Sequence, residues 1–252
     1  MFDYSDQVIL ITGAGSARGI GRTIARFFGE LGGRVIICDI DKDMLNNNTI
    51  ELRQNGIDAE SYFCDLTNIH DIKNMVSDVI NKFRRIDVLI NNAGISQKIE
   101  VSDMTIEDMQ RIFSVNMYGL FLITKEICEV MKKQKYGRIV NISSVSAKRG
   151  GGIFGGAHYS ASKAAVLGFS KNLAREVSQY GITVNSVCPG LINTDIWSGL
   201  SDSQIKSIIA SIPIGRIGEP EDVAAAVVFL ASKEAAYITG EEIDINGGSH
   251  MD

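Results

Sequence analysis

The chain has 252 residues, 45% of them hydrophobic, and a formal net charge of −5 at pH 7. This length suits one α/β domain with a large core, and the acidic balance argues against nucleic-acid or membrane-surface partners. No run of 18 apolar residues occurs and the start of the chain is acidic, so we expect neither a membrane-spanning helix nor a signal peptide. The four cysteines are far apart and the three histidines lack ligand spacing. We therefore expect reduced thiols, a cytoplasmic protein and no metal site.

Short apolar runs alternate with amphipathic helical patterns along the chain. The clearest predicted strands cover residues 8–11, 34–38, 88–90, 139–142, 182–187 and 243–245. Nearly continuous apolar strands separated by helices indicate a parallel sheet with helices on both faces. The sequence therefore predicts one doubly wound α/β domain over residues 1–252, with about seven strands.

One segment interrupts the alternation. Residues 193–220 contain Trp197, a short helical pattern and Pro213. Long connections in compact domains tend to serve function. We therefore expect this segment to form a lid on the substrate side of the site.

A glycine-rich loop at residues 12–21 follows the first strand and opens a helix. Glycines let a backbone turn sharply and approach a pyrophosphate that lies at the helix N-terminus. The same pattern also serves as a tight connection that binds nothing, but its place after the first strand favours a dinucleotide site. The candidate contacts in this loop are Gly13, Ser16, Arg18, Gly19 and Ile20.

Asp39 ends the second predicted strand, 18 residues after Gly21. An acid at this place accepts hydrogen bonds from the adenosine ribose hydroxyls, and it repels the 2′-phosphate of NADP, which carries about −1.5 to −2 charges. Arg18 argues the other way, because a guanidinium can hold that phosphate with two hydrogen bonds. Arg18 can also pair with Asp39 or face solvent. We favour NAD, with NADP as the alternative.

Tyr159 and Lys163 lie four residues apart, so they share one face of a helix. A phenol has a reference pKa near ~10, and a fixed positive charge nearby lowers that pKa toward neutral pH. The pair therefore predicts a general acid and base. Taken alone, such a pair also occurs on solvated helix faces.

These motifs occur in one order over one domain: the glycine loop, residues 91–94, Asn116, Ser144, and Tyr159 with Lys163. The set resembles the short-chain dehydrogenase/reductase family, whose domain is a Rossmann fold. The resemblance covers the whole chain, including residues 188–194 and 246–248.

The resemblance implies catalytic roles for four residues. Tyr159 would exchange a proton with the substrate oxygen, and Lys163 would lower the phenol pKa and hold the nicotinamide ribose. Ser144 would hydrogen-bond the reacting oxygen. Ser143 is the alternative, because strand alternation puts the two side chains on opposite faces. Asn116 would lie at a helix irregularity whose main chain holds a water linked to Lys163.

The resemblance also implies cofactor contacts beyond the glycine loop and Asp39. They are Asp65, Leu66, Asn92, Ala93, Gly94, Tyr159, Lys163, Pro189, Gly190, Ile192 and Thr194. Asp65 has a competing use as the N-cap of the helix that follows.

Two departures from the family pattern affect the loops. Five residues separate Gly13 from Gly19, and 15 positions separate Ser144 from Tyr159; both spacings exceed the common family form. The second insertion falls in residues 149–156, where we expect it to reshape the substrate rim.

The implied reaction is hydride transfer between a nicotinamide and a carbon that bears oxygen. The candidate substrate residues are Ser144, Ser146, Tyr159 and Trp197, while His158 either contacts a polyhydroxylated substrate or faces outward. This polar rim favours a sugar, a polyol or a similar small hydroxy compound. The alternatives are a 3-oxoacyl-(acyl-carrier-protein) reductase, and a non-catalytic nucleotide-binding scaffold on the same fold. The family also implies a homotetramer.

Overall fold

The computed structural model describes residues 2–194 and 201–251. Within these ranges, seven strands form one sheet in the order β3-β2-β1-β4-β5-β6-β7, and every neighbouring pair is parallel. The predicted doubly wound fold is confirmed. The strands are β1 (Val8–Thr12), β2 (Arg34–Asp39), β3 (Ala59–Phe63), β4 (Val88–Asn91), β5 (Gly137–Ile142), β6 (Ile182–Pro189) and β7 (Glu242–Ile245).

Helices cover both faces of the sheet because each strand sends alternate side chains to opposite sides. On β1, Ile9 and Ile11 pack into one core with the helices at Ile20–Glu30 and Pro220–Ala231. Val8 and Leu10 pack into the other core with the helices at Ile69–Phe83 and Leu120–Gln134. The helices are α1 (Ile20–Glu30), α2 (Lys42–Gln54), α3 (Ile69–Phe83), α4 (Ile106–Phe113), α5 (Leu120–Gln134), α6 (Ser146–Arg149), α7 (Ala157–Val177), α8 (Asp202–Ala210) and α9 (Pro220–Ala231).

A π-helical turn at Ser114–Gly119 separates α4 from α5. Such turns are rare and occur frequently at functional sites. This turn contains Asn116, so the structure contains the helix irregularity that the resemblance implied at that residue.

The sheet order reverses between β1 and β4, since the chain winds outward in both directions from this pair. Ligands of doubly wound folds bind at the carboxyl ends of the strands beside this switch point. None of the helices in the described ranges combines the length and the apolar character that a bilayer crossing requires.

Candidate active site

Two neighbouring cavities lie at the carboxyl edge of the sheet. One has a volume of about 500 Å³ and lies over β1, β2 and the loop after β3. The other has a volume of about 440 Å³ and lies over β5, β6 and the start of α7. Their walls share Ile20, Asn92, Gly94, Ile95 and Thr194. The two cavities therefore form adjoining parts of one cleft.

The glycine loop is fixed against the loop that follows β4. Gly13 has a φ of +66°, and a Cβ at this position would lie 2.5 Å from the Cα of Ala93. The side-chain amide of Asn92 donates through Nδ2 to the carbonyls of Thr12 (2.9 Å) and Gly13 (2.8 Å). Only glycine satisfies both the left-handed backbone and the close approach at position 13. Asn92 and Ala93 thus shape the cleft floor.

Asp39 presents its carboxylate to the 500 Å³ cavity. One oxygen accepts from the amide of Gly15 at 2.8 Å, and the other accepts from the amides of Ile40 (2.7 Å) and Asp41 (3.1 Å). Three backbone donors therefore fix the carboxylate at the end of β2. This is the place where an acid can accept hydrogen bonds from a ribose.

Arg18 makes a contact that the sequence did not suggest. Its Nη2 donates to Oδ1 of Asn193 at 2.9 Å, and the side-chain Nδ2 of Asn193 donates to the carboxylate of Glu219. The guanidinium thus connects the glycine loop to the segment that follows β6. Among the described residues, those that line the 500 Å³ cavity do not include Arg18.

The wall of the larger cavity suits the adenosine half of a dinucleotide. Asp65 and Leu66 line it as expected. Asn68 is the N-cap of α3, because its side chain accepts from the backbone amide of His70, whereas Asp65 accepts from the amide and hydroxyl of Thr67. The N-cap hypothesis for Asp65 is therefore wrong.

A nicotinamide dinucleotide fits this cavity by three criteria: the glycine cradle, the fixed acid of Asp39 and the cavity volume.

Tyr159 and Lys163 project from the first turns of α7 into the 440 Å³ cavity. The hydroxyl of Ser144 lies close enough to the phenol to lower its pKa, and the ammonium of Lys163 donates to the carbonyl of Ile142 at 2.8 Å. Ser143 donates its hydroxyl to the carbonyl of Lys163 at 2.9 Å. Ser144 therefore contacts the tyrosine, while Ser143 attaches the helix to the end of β5.

Burial controls the pKa values of this pair. Burial raises the pKa of Tyr159, and the hydrogen bond from Ser144 lowers it in part. Burial also lowers the pKa of Lys163 to about 8. Loss of hydration thus dominates the pKa of the phenol, and the ammonium of Lys163 donates to the carbonyl of Ile142. A lowering of the Tyr159 pKa by Lys163 stays a prediction.

Asn116 connects the π-helical turn to the cofactor side of the cleft. Its side chain is 1% exposed. Its Oδ1 accepts from the amide of Ile95 at 2.8 Å, and its Nδ2 donates to the carbonyl of Ile95 (3.0 Å) and to the hydroxyl of Ser162 (3.1 Å). A Cβ on Gly94 would lie 3.2 Å from Nζ of Lys163 and 3.3 Å from Oδ1 of Asn116. Gly94 thus leaves room for both side chains.

His158 neither contacts the substrate cavity nor faces outward, so both interpretations of this residue are wrong. Its side chain is fully buried, and Nε2 lies 3.1 Å from Oε1 of Gln97. Gln97 also accepts from Arg111 and donates to Asp108, both at 2.9 Å. The first turn of α7 packs beneath the segment after β4, which buries the imidazole. No sequence motif pointed to Gln97.

Most predicted contacts line the cleft. Gly13, Ser16, Gly19, Ile20, Asp39, Asp65, Leu66, Asn92, Ala93, Gly94 and Thr194 line the larger cavity, and Ser146, Tyr159, Lys163, Pro189, Gly190, Ile192 and Thr194 line the smaller one. Trp197 lies outside the described residues. The rest of the smaller cavity's wall comes from the two segments expected at the substrate side, 149–156 and 193–220, although the sequence did not single out the individual residues: Arg149, Ile153, Phe154, Ile208, Ser211 and Ile212.

Comparisons with known proteins agree with this geometry. The profile of a family described as enoyl-(acyl carrier protein) reductase matches residues 13–250. The 3-oxoacyl-(acyl-carrier-protein) reductase FabG of Vibrio cholerae is 39% identical, over 97% of this chain and 98% of its own. An uncharacterized short-chain type dehydrogenase/reductase of Sinorhizobium fredii is 42% identical over 96% of both chains.

Solved structures extend the similarity. An actinorhodin polyketide ketoreductase variant with NADPH superposes with a TM-score of 0.90 at 35% identity, over 98% of both chains. A putative gluconate dehydrogenase from Agrobacterium tumefaciens superposes with a TM-score of 0.93 at 29% identity, over 98% of this chain and 97% of that one.

Proposed function

Because the chain belongs to the short-chain dehydrogenase/reductase family, and is thus an oxidoreductase that acts on CH–OH groups with a nicotinamide cofactor, we propose that it reduces 3-oxoacyl thioesters. The similarity to FabG over nearly the whole chain carries this proposal. The substrate cavity supports it, since Ile153, Phe154, Ile208 and Ile212 offer an apolar wall for an acyl chain.

The proposed mechanism assigns one step to each side chain of the Tyr159 cluster. The phenol of Tyr159 donates its proton to the keto oxygen, which Ser144 also hydrogen-bonds. The hydride for the carbonyl carbon would come from a nicotinamide cofactor bound in the adjoining cavity. Lys163 would hold the nicotinamide ribose, and its positive charge would stabilise the phenolate left after proton transfer. Reprotonation of Tyr159 then completes the cycle.

We propose NADH as the preferred cofactor. The carboxylate of Asp39 is fixed by three backbone amides at the ribose end of the larger cavity, where a 2′-phosphate would meet its negative charge. Arg18, the candidate partner for such a phosphate, hydrogen-bonds Asn193 instead. The solved ketoreductase similar to this chain carries NADPH, so the two cofactors must be compared directly.

A small hydroxy acid, sugar or polyol is the second candidate substrate. The polar side chains of Ser96, Ser146, Arg149 and Ser211 line the same cavity as Tyr159. A putative gluconate dehydrogenase is among the similar structures. This candidate reverses the direction of the assay, because the hydroxy compound would be oxidised.

We keep the substrate-side lid at residues 193–220 as a proposal, supported by Ile208, Ser211 and Ile212, which line the substrate cavity.

We also propose that the single domain assembles as a tetramer. On the outer face of α5 and α7, the rings of Phe121 and Phe169 meet edge to face at 6.2 Å. Phe121 and Tyr118 are 41% and 56% exposed, which suits contact with a second copy.

The four free, buried cysteines support a reducing compartment such as the cytoplasm.

The test is a substrate panel assayed with both cofactors. Acetoacetyl-CoA and ethyl acetoacetate are offered with NADH or NADPH, and gluconate and linear polyols with NAD or NADP. Faster turnover of acetoacetyl-CoA than of every hydroxy compound supports the first proposal. Turnover confined to gluconate or a polyol contradicts it and selects the second candidate.

A further inference from the structure

Arg149 places a cationic group in the wall of the substrate cavity. It is the last residue of α6 and lines the 440 Å³ cavity together with Tyr159. Its Nη1 donates to the carbonyl of Ser249 at 3.0 Å. Over residues 2–194 and 201–251, no carboxylate lies within ion-pair distance of its guanidinium. The remaining N–H donors of Arg149 thus stay available to a ligand.

The loop after Arg149 turns back toward the start of α6. Gly150, Gly151 and Gly152 all have positive φ values, of +70°, +65° and +150°. A Cβ on Gly152 would lie 3.2 Å from Oγ of Ser146, so glycine lets the loop fold back against the serine. Ser146 and Arg149 therefore occupy the two ends of α6 on one wall of the cavity.

The neighbouring lysine does not compete for the same role. Lys148 has a side chain that is 9% exposed, and it pairs with Asp244 at 3.1 Å and with Glu242 at 3.7 Å. Its charge is neutralised by β7, on the side away from the cavity wall, which does not include it. Among the residues that line this described cavity, only Lys163 and Arg149 are cationic, and Lys163 belongs to the catalytic cluster.

Two further serines in the cavity wall present acceptors rather than donors. Ser96 donates its hydroxyl to the carbonyl of Phe154 at 2.5 Å, and Ser211 donates to the carbonyl of Ile208 at 2.7 Å. Their lone pairs remain to accept hydrogen bonds from substrate hydroxyls. The cavity thus offers positive donors at Arg149 and neutral acceptors at Ser96 and Ser211.

We propose that Arg149 and Ser146 form a subsite for an anionic group of the substrate, a carboxylate or a phosphate, at the opposite end from the reacting carbon. A planar guanidinium matches either oxyanion with paired hydrogen bonds. The subsite deepens the proposed function, because it rests on Tyr159 as the reacting end of the same cavity. It favours small 3-oxo or hydroxy compounds that carry a negative charge.

Inorganic phosphate is the probe, used with enzyme saturated with NADH so that the cofactor site is filled. Phosphate is expected to compete with the neutral substrate ethyl acetoacetate. In Arg149→Gln, the ratio of the phosphate Ki to the ester KM is expected to rise about tenfold, since a charge-assisted hydrogen bond is worth about 1.5–3 kcal/mol. Arg149→Lys keeps the charge without the paired geometry and is expected to fall between the two.

Lys206→Gln is the matched control, because Lys206 is an exposed cation on α8 that does not line the cavity. Its ratio is expected to equal that of the wild type. Non-competitive inhibition, or equal ratios in Arg149→Gln and wild type, would overturn the subsite. Thermal melts check that each variant is folded.

Calorimetric titration of phosphate into the NADH complex separates the two proposals. Phosphate binding that depends on Arg149 without any ester reduction would refute the proposed reductase activity and leave the subsite standing. Ester reduction without Arg149-dependent phosphate binding would refute the subsite and leave the proposed reductase activity standing.

Discussion

Replacing Asp39 with asparagine tests the cofactor assignment with little change of shape. The carboxylate accepts from three backbone amides at 2.7–3.1 Å, so its position is fixed before a ribose arrives. Asparagine removes the charge and turns one acceptor oxygen into a donor. Each hydrogen bond to a charged group is worth about 1.5–3 kcal/mol. Loss of one such bond corresponds to an increase of about 10- to 100-fold in the KM for NADH.

The same change removes the repulsion of a 2′-phosphate, so the kcat/KM for NADPH should rise while the kcat/KM for NADH falls. The assay is the ratio of kcat/KM values for NADH and NADPH with one saturating substrate. The control is Asp41→Asn, because Asp41 caps α2 and asparagine preserves that cap. A wild type that prefers NADPH, or an Asp39→Asn variant with an unchanged ratio, would refute the argument.

Two further substitutions probe the catalytic helix. Lys163→Met should abolish turnover yet raise the free energy of unfolding at pH 7 by about 1–3 kcal/mol, because burial lowers the pKa of Lys163 to about 8 and the charged form is costly in the folded state. In urea titrations this gap should close as the pH rises from 8 to 10, since the folded lysine then loses its proton while the unfolded one keeps it; a gap independent of pH would count against the assignment. Gly155→Ala should lower kcat by about 10- to 100-fold, because its Cβ would lie 2.5 Å from Cδ1 of Tyr159. Steady-state kinetics check this against Gly168→Ala, whose Cβ would meet nothing within 4 Å, and equal kcat values in the two variants would be the contrary result.

The fold and the cofactor cleft were accessible from the sequence because their determinants are local. Gly13 must adopt a positive φ beside Ala93, and Asp39 must end a strand, so each position requires a particular residue type that can be recognised in the sequence. Parallel strands then bring these residues to one edge of the sheet. The same logic placed Tyr159 and Lys163 on one helix face.

The segments near the substrate were accessible, but the individual residues of the cavity wall were not, because tertiary packing determines which side chains face the cavity. His158 adjoins Tyr159 in sequence, yet its ring is buried against Gln97, which lies on the segment after β4. Arg149 was visible only as part of a glycine-rich insertion. Its position in the cavity depends on how the loop folds against Ser146, and no periodic pattern encodes that contact.

The pKa values of the pair were hard to predict for a related reason. Sequence spacing shows that Lys163 lies near Tyr159, but it does not show how far each group is removed from water. Burial raises the pKa of the phenol and lowers the pKa of the ammonium. For both groups, loss of hydration is the largest effect on the pKa.

The central claim is that the hydroxyl of Tyr159 transfers the proton, and Tyr159→Phe tests it most directly. NADH binding is measured by fluorescence and turnover is measured separately with the best substrate of the panel. Removal of a general acid costs about 10²- to 10⁴-fold in kcat, so we expect turnover to fall by that factor while the Kd for NADH stays within a few-fold of wild type. A variant that keeps wild-type turnover would contradict the account.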